Sequence, residues 1–208
     1  VHIAITAQPV PHPSMNNAIY HTPPPHNEPV RDYAPGTAER ASLQATLHTL
    51  KRSAPIDIPA FIGGQAVSTG RTSPVVAPHQ HDLTLAHVHQ CGPDETKQAI
   101  AAALEAKKTW GQMDWEDRAA IFLRAADLLA GPWRDRLNAS TMLGQSKTCH
   151  QAEIDSACEL IDFWRFNVHF ARQLMAEQPY SPPGMWNQLD YRPLDGFVLA
   201  VTPFNFTA

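Results

Sequence analysis

The sequence predicts an α/β chain, mostly helical, with one β-hairpin and a deeply apolar strand close to its last residue. Three observations predict it. Apolar residues recur at helical spacing in a series of segments, several bounded by residues that start and stop helices. Gly63-Gly64 separates two short apolar segments, the two-residue hairpin signal. "GFVLAV", from Gly196 to Val201, has nothing polar in it, the pattern of a strand covered on both faces.

Composition bounds what such a chain can be. Its 208 residues suffice for one domain with a sizeable core. With 43% hydrophobic and 17% charged residues it reads as a globular protein slightly poor in charge. A formal net charge of -4 gives no electrostatic reason to bind nucleic acid or an anionic membrane. No apolar run approaches the ~20 residues of a membrane-spanning helix. Cys91, Cys149 and Cys158 are odd in number and lack a CxxC spacing, so neither a disulfide framework nor a zinc knuckle is indicated. A reducing, cytoplasmic setting is expected.

Residues 1–30 differ from the rest. "QPVPHPSMNNAIYHTPPPHNEP" is rich in Pro, His and Asn and has no Lys or Arg. It lacks the positive start and apolar stretch of a secretory signal, and the Arg of a mitochondrial leader. It reads as a disordered arm. Val1 is an unusual first residue and Met15 lies within the arm, so residues 1–14 are expected to precede the true start.

From Tyr33 onward the elements follow in order. "TAERASLQATLHTLKR" carries Leu43, Leu47 and Leu50, a modest helical stripe. The hairpin at Gly63-Gly64 comes next, then "DLTLAHVHQC", which alternates as a strand. That strand places His87, His89 and Cys91 on one face, near His79 and His81. Imidazole and thiolate suit zinc, but a metal site needs converging geometry rather than a ladder spaced ~6.5 Å apart. A solvated strand face is the favoured reading, and no metal is expected.

"GPDETKQAIAAALEAKKTWG" opens with Pro93 and closes with Lys107, Lys108 and Gly111, matching the helix dipole at both ends. "DWEDRAAIFLRAADLLAGP" starts at Asp114 and stops at Gly131-Pro132, with a stripe of Ile121, Phe122, Ala125, Leu128 and Leu129. A shorter helix through Leu137 and Met142 ends at Gly144. A long helix follows, from about Thr148 to Glu177. Ile154, Ala157, Cys158, Ile161, Trp164 and Val168 form one apolar stripe on it, and Phe163, Phe166 and Phe170 a second on roughly the opposite side. Glu159 falls in the second stripe. A carboxylate there is costly unless something binds it, unless it lies at an edge and reaches water. Asp162 and Arg165 read as a surface pair, and Cys158 as a small buried thiol rather than a nucleophile. "SPPG" is a stiff linker, and "NQLDYRPLDG" a short strand and turn before the apolar strand.

"VTPFNFTA" resembles the Pro-(Trp/Phe)-Asn-Phe segment of the aldehyde dehydrogenase superfamily. Phe204 in place of the commoner tryptophan, together with "NEPVRDYAPGTAER", "DRAAIFLRAADLLAGP" and "GQSKTCHQAEIDSACELIDFWRFN", is similar to one branch, the Δ1-pyrroline-5-carboxylate (L-glutamate γ-semialdehyde) dehydrogenases. The resemblance runs from about Asn27 to Ala208. It implies that residues 31–208 are the N-terminal, mostly helical portion of an aldehyde dehydrogenase NAD-binding domain. The apolar strand would then be the first of a Rossmann-like sheet, with the fold incomplete.

The resemblance also implies roles. Asn205 would donate to the oxyanion, Thr202, Pro203 and Phe204 would line NAD, and Glu159 and Phe206 would border the aldehyde. The implied reaction is oxidation of L-glutamate γ-semialdehyde to L-glutamate in proline degradation, by a homodimer when full length. The nucleophilic cysteine, general-base glutamate and pyrophosphate turn of the family match nothing in this chain, so the chain alone is expected to be inactive. Its apolar faces are expected to lie bare and to make it prone to aggregate. Two other readings remain: a non-catalytic interaction or dimerisation module derived from such an enzyme, and an aldehyde dehydrogenase of other specificity.

Overall fold

The computed structural model describes residues 21–206. The assignment of residues 1–14 to a region upstream of the start lies outside the described residues. Residues 21–30 have no regular secondary structure.

Helix α1 (Ala38–Ser53) packs through Leu43 on α4 (Arg134–Gln145), where Tyr33, Leu43 and Ala139 form a buried cluster flanked by Leu47, Leu50 and Met142. The strands follow: β1 (Ile56–Ile58), β2 (Ala60–Ile62), β3 (Gln65–Val67), β4 (Thr72–Ala77) and β5 (Gln80–His89). β2 and β3 pair antiparallel with Ile62 opposite Gln65, so Gly63 and Gly64 are the whole loop. Both have positive φ, 57° and 78°, which a two-residue turn matched to strand twist requires and only glycine adopts freely.

A three-stranded sheet has the order β1-β5-β4, with β1 parallel and β4 antiparallel to the central strand. Pro74 cannot donate to a ladder and sits on the edge strand β4, where irregular pairing flanks Val76.

Helix α2 (Pro93–Trp110) begins where Glu95 Oε2 accepts the Gly92 N–H at 2.6 Å. On α3 (Trp115–Ala130) the buried positions are Ala119, Ala126 and Leu129. Ile121, read as part of the core stripe, is half exposed. The small Ala126 faces Ala157 and Ile161 instead, allowing the helices to approach closely. Helix α4 runs one residue past Gly144, and Ser146 takes the left-handed cap with φ 55°.

The long helix is helical from Cys149 to Ala176 but not uniform: α5 (Cys149–Ala152), a π-helical turn (Glu153–Cys158), then α6 (Glu159–Ala176). Thr148 caps it by accepting the Gln151 N–H. Ala157, Cys158, Ile161 and Val168 are buried as their spacing predicts, whereas Phe163 and Phe170 are exposed.

Two expected strands are not formed. Residues in "NQLDYRPLDG" and the stretch Gly196 to Thr202 are irregular, and Val198, Leu199 and Val201 are each more than three-quarters exposed. A strand exists through inter-strand hydrogen bonds, and among the described residues no strand lies beside these. The apolar sequence is therefore strand-competent but unpaired.

Candidate active site

The residues singled out near the end meet α6 at one groove. Asp155, Glu159, Leu160 and Phe163 supply its helical wall, and Thr202, Pro203 and Phe206 the other, around an open volume of about 350 Å³. Glu159 is half-buried there, and its carboxylate has no hydrogen-bond partner among the described residues. It lines the groove between Phe163 and the Pro203–Phe206 segment.

Asn205 lies in the turn beside the groove with an exposed side chain. Phe204 projects away, almost wholly exposed, while its carbonyl accepts Gln145 Nε2 at 3.4 Å. The structure thus gathers Glu159, Thr202, Pro203 and Phe206, with Asn205 adjacent and the Phe204 ring outside.

Lys147 was not singled out by the sequence, yet it holds this turn. Its Nζ donates to Asp155 Oδ2 at 2.7 Å and to the Asn205 carbonyl at 2.6 Å, and lies 5.0 Å from the Phe206 ring centroid.

A second polar centre that the sequence reading also missed is built on Glu153, at the start of the π-helical turn that leads to Glu159. Arg134 and Glu153 are fully buried and bonded to each other through Nε (3.2 Å) and Nη2. Glu153 also accepts from the Arg31 N–H and the Tyr33 hydroxyl, both at 2.8 Å, and from Asn138 Nδ2. Arg134 reaches Glu28 and the Pro29 carbonyl, and Arg165 closes on Glu28 at 2.7 Å. Asp162 accepts from Asn27 Nδ2 and the Glu28 N–H. Asp162 and Arg165 are therefore not a surface pair: both grip the chain entering from Asn27 and Glu28.

One signal for this centre was available. Glu153 is four residues before Ala157 on the buried stripe, the same test of a carboxylate among apolar residues that drew attention to Glu159.

Burial opposes ionisation of Glu153, but Arg134, the Arg31 N–H, Tyr33 and Asn138 together hold its carboxyl below the usual range. Burial, with the Glu153 carboxylate nearby, pushes the Cys158 thiol up to about 11, and burial raises Cys149 as well. Neither has the character of a nucleophile, and no cysteine lines the groove.

One member of the histidine ladder, His89, acts as a fastening. His89 Nδ1 accepts the Thr69 N–H at 2.9 Å, and its Nε2 lies 3.2 Å from Asp57. His79 Nδ1 meets Ser146 Oγ at 2.7 Å. Both nitrogens of His89 are thereby engaged. Among the described residues no group of three or more His, Cys, Asp and Glu is placed to hold a metal ion.

The chain belongs to the aldehyde dehydrogenase family, whose sequence profile matches residues 66–208. It is similar to a protein of Agaricus bisporus named Delta-1-pyrroline-5-carboxylate dehydrogenase, 50% identical over 192 residues, which are 92% of this chain and 35% of that one. It is also similar to the Homo sapiens protein named Delta-1-pyrroline-5-carboxylate dehydrogenase, mitochondrial, at 46% identity over 88% of this chain and 32% of that one. The crystal structure of the Delta-pyrroline-5-carboxylate dehydrogenase from Mycobacterium tuberculosis bound with NAD matches with a TM-score of 0.90 at 54% identity, over 92% of this chain and 36% of that chain. The chain spans about a third of the length of these relatives.

Proposed function

We propose that this chain forms the N-terminal portion of an NAD-dependent dehydrogenase that oxidises L-glutamate γ-semialdehyde, in equilibrium with Δ1-pyrroline-5-carboxylate, to L-glutamate in proline degradation. The observation that carries the reading is the groove itself. Residues more than 40 positions apart, Glu159 on one side and Thr202, Pro203 and Phe206 on the other, line one space beside Asn205.

In this reading a thiolate from outside these 208 residues adds to the aldehyde carbon, and negative charge develops on its oxygen. The Asn205 amide donates an N–H to that oxygen, and removing one such donor typically costs ~2.7–4 kcal/mol. Glu159 forms the polar side of the aldehyde pocket, and Phe206 packs on the aliphatic part of the substrate. Thr202 and Pro203, exposed and uncharged at the groove's edge, fit the nicotinamide end of the cofactor, with Phe204 beside them through its backbone. NAD, when bound, supplies the hydride acceptor. Among the described residues no helix is long and apolar enough to cross a membrane. A reducing aqueous compartment, the cytoplasm, suits three free cysteines. The complete enzyme is a homodimer, which light scattering on it would test.

The functional test joins this chain in frame to the remaining two-thirds of the Agaricus bisporus relative and follows NADH formation with Δ1-pyrroline-5-carboxylate. Turnover is expected, and Asn205→Ala should lower kcat by about 10²–10³-fold. A folded fusion that oxidises simple aldehydes but not this substrate would remove the substrate assignment. One inert towards every aldehyde would remove the dehydrogenase reading.

A further inference from the structure

Among the described residues, the polar contacts made by residues 196–206 to other elements come from Gln145 and Lys147. The Gln145 contact is long, at 3.4 Å. The Lys147 contact is short and charge-assisted, 2.6 Å to a peptide carbonyl from a lysine whose side chain is only 16% exposed. We infer that Lys147 is a positioning residue, one that clamps the Asn205–Phe206 peptide so that the Asn205 amide and the Phe206 ring stand correctly at the groove. The inference rests on the dehydrogenase reading above for its catalytic consequence.

The geometry explains why this lysine has such leverage. The carbonyl it holds belongs to the peptide plane joining Asn205 to Phe206, so one hydrogen bond limits rotation on both sides. Asp155, in the π-helical turn, takes another of the three ammonium protons and keeps the charge aimed at the turn. The Phe206 ring face lies over the same ammonium, so the ring is held by a second contact to one group. Ser146 ends α4 in the left-handed conformation, with its hydroxyl tied to His79, and Thr148 starts α5 as a cap. Lys147 is thus fixed between two helix termini rather than carried on a free loop. Its ammonium is taken up by Asp155, a carbonyl and a ring, so it acts through Asn205 and not on substrate directly.

Misplacing a catalytic group by 1 Å can cost on the order of 100-fold in rate. Lys147→Met keeps the aliphatic stem and removes the charge and its donors. In the fusion enzyme this variant should lower kcat about 10–100-fold by that reasoning, with KM changed far less. Lys147→Arg, which can still donate to both oxygens, should recover most of the loss. The deciding comparison is made in the Asn205→Ala background, where Lys147→Met should cause a much smaller fall in kcat, because the amide it positions is gone and only its hold on the Phe206 ring remains. Multiplying losses, or a fall in kcat that follows the melting temperature, would show general structural support and overturn the inference.

Backbone order at Phe204 and Phe206, read by 15N relaxation with selectively labelled phenylalanine, gives a readout independent of turnover. Lys147→Met should lower the order parameters there towards the flexible range, below about 0.6, and Lys147→Arg should restore them. Unchanged order in Lys147→Met would overturn the clamp whether or not the enzyme turns over, whereas an inert unsubstituted fusion with the clamp intact would count only against the dehydrogenase reading.

Discussion

The centre around Arg134 and the segment after α6 resemble each other in one respect: both are non-repetitive chain laid against helices. They differ in what the helices offer. Asn27 to Tyr33 comes in with few apolar residues, and its polar groups meet Arg134, Glu153, Asp162 and Arg165. Even Tyr33, with a left-handed φ of 54° that is uncommon outside glycine, is held there and is only 5% exposed. The chain after Glu177 is far more apolar, yet Trp186, Leu194, Val201 and Phe204 remain exposed. Apolar content does not bury a segment where no surface faces it, whereas a few buried charges with their partners hold in place one that has little apolar content.

The largest effect should come from removing a buried charge at the incoming end. Arg134→Met leaves Glu153 buried without its main counter-ion, and breaking such a pair costs about 3–5 kcal/mol. Urea unfolding should show this as a lower midpoint with an unchanged slope. A loss below about 1 kcal/mol would mean that water or relaxation replaces the arginine, and the contrast between the two regions would weaken.

A smaller and graded effect should follow from acid. The folded-state pKa of Glu153 is depressed, so its stabilisation is fully present above the unfolded glutamate value of about 4.3. It is lost as pH falls from there through the lower folded value. Urea midpoints taken at intervals below pH 5 should fall more steeply for the natural chain than for Glu153→Gln. Parallel curves would assign the acid sensitivity to other carboxylates.

The smallest stability effect should come from the exposed end. A chain stopped at Glu177 loses side chains that bury little, and its unfolding midpoint should move by no more than about 0.5 kcal/mol equivalent, as for surface changes generally. Its binding of a hydrophobic dye and its tendency to aggregate should fall clearly, because the most exposed apolar residues are gone. A marked destabilisation would show that the Tyr191 hydroxyl on the Leu174 carbonyl, or the Lys147 clamp, ties this segment more tightly than its exposure suggests.

Much of the helical layer was legible in the sequence because periodicity and caps are local properties. Pro93 and Gly111 mark α2, Gly63-Gly64 marks the hairpin, and the stripe from Ala157 to Val168 marks the buried side of the π-helical turn and α6. Part of the groove was also legible: Glu159 stood out as a carboxylate among phenylalanines, and the "PFNF" stretch as a resemblance. Lys147 and the Arg134–Glu153 centre were not found. Each joins residues far apart in the chain, and no spacing rule announces that a lysine after a helix cap will meet a carbonyl 58 positions later.

The sequence by itself determined where helices begin and end, which of their faces are apolar, and which family the closing motif resembles, since these depend on neighbours within a few residues. Only the tertiary structure decided that "GFVLAV" forms no strand here, that Asp162 and Arg165 bind the incoming chain, and that Lys147 reaches Asn205. A strand, a buried charge and a clamp each need a partner, and partners are brought together by packing rather than by order along the chain.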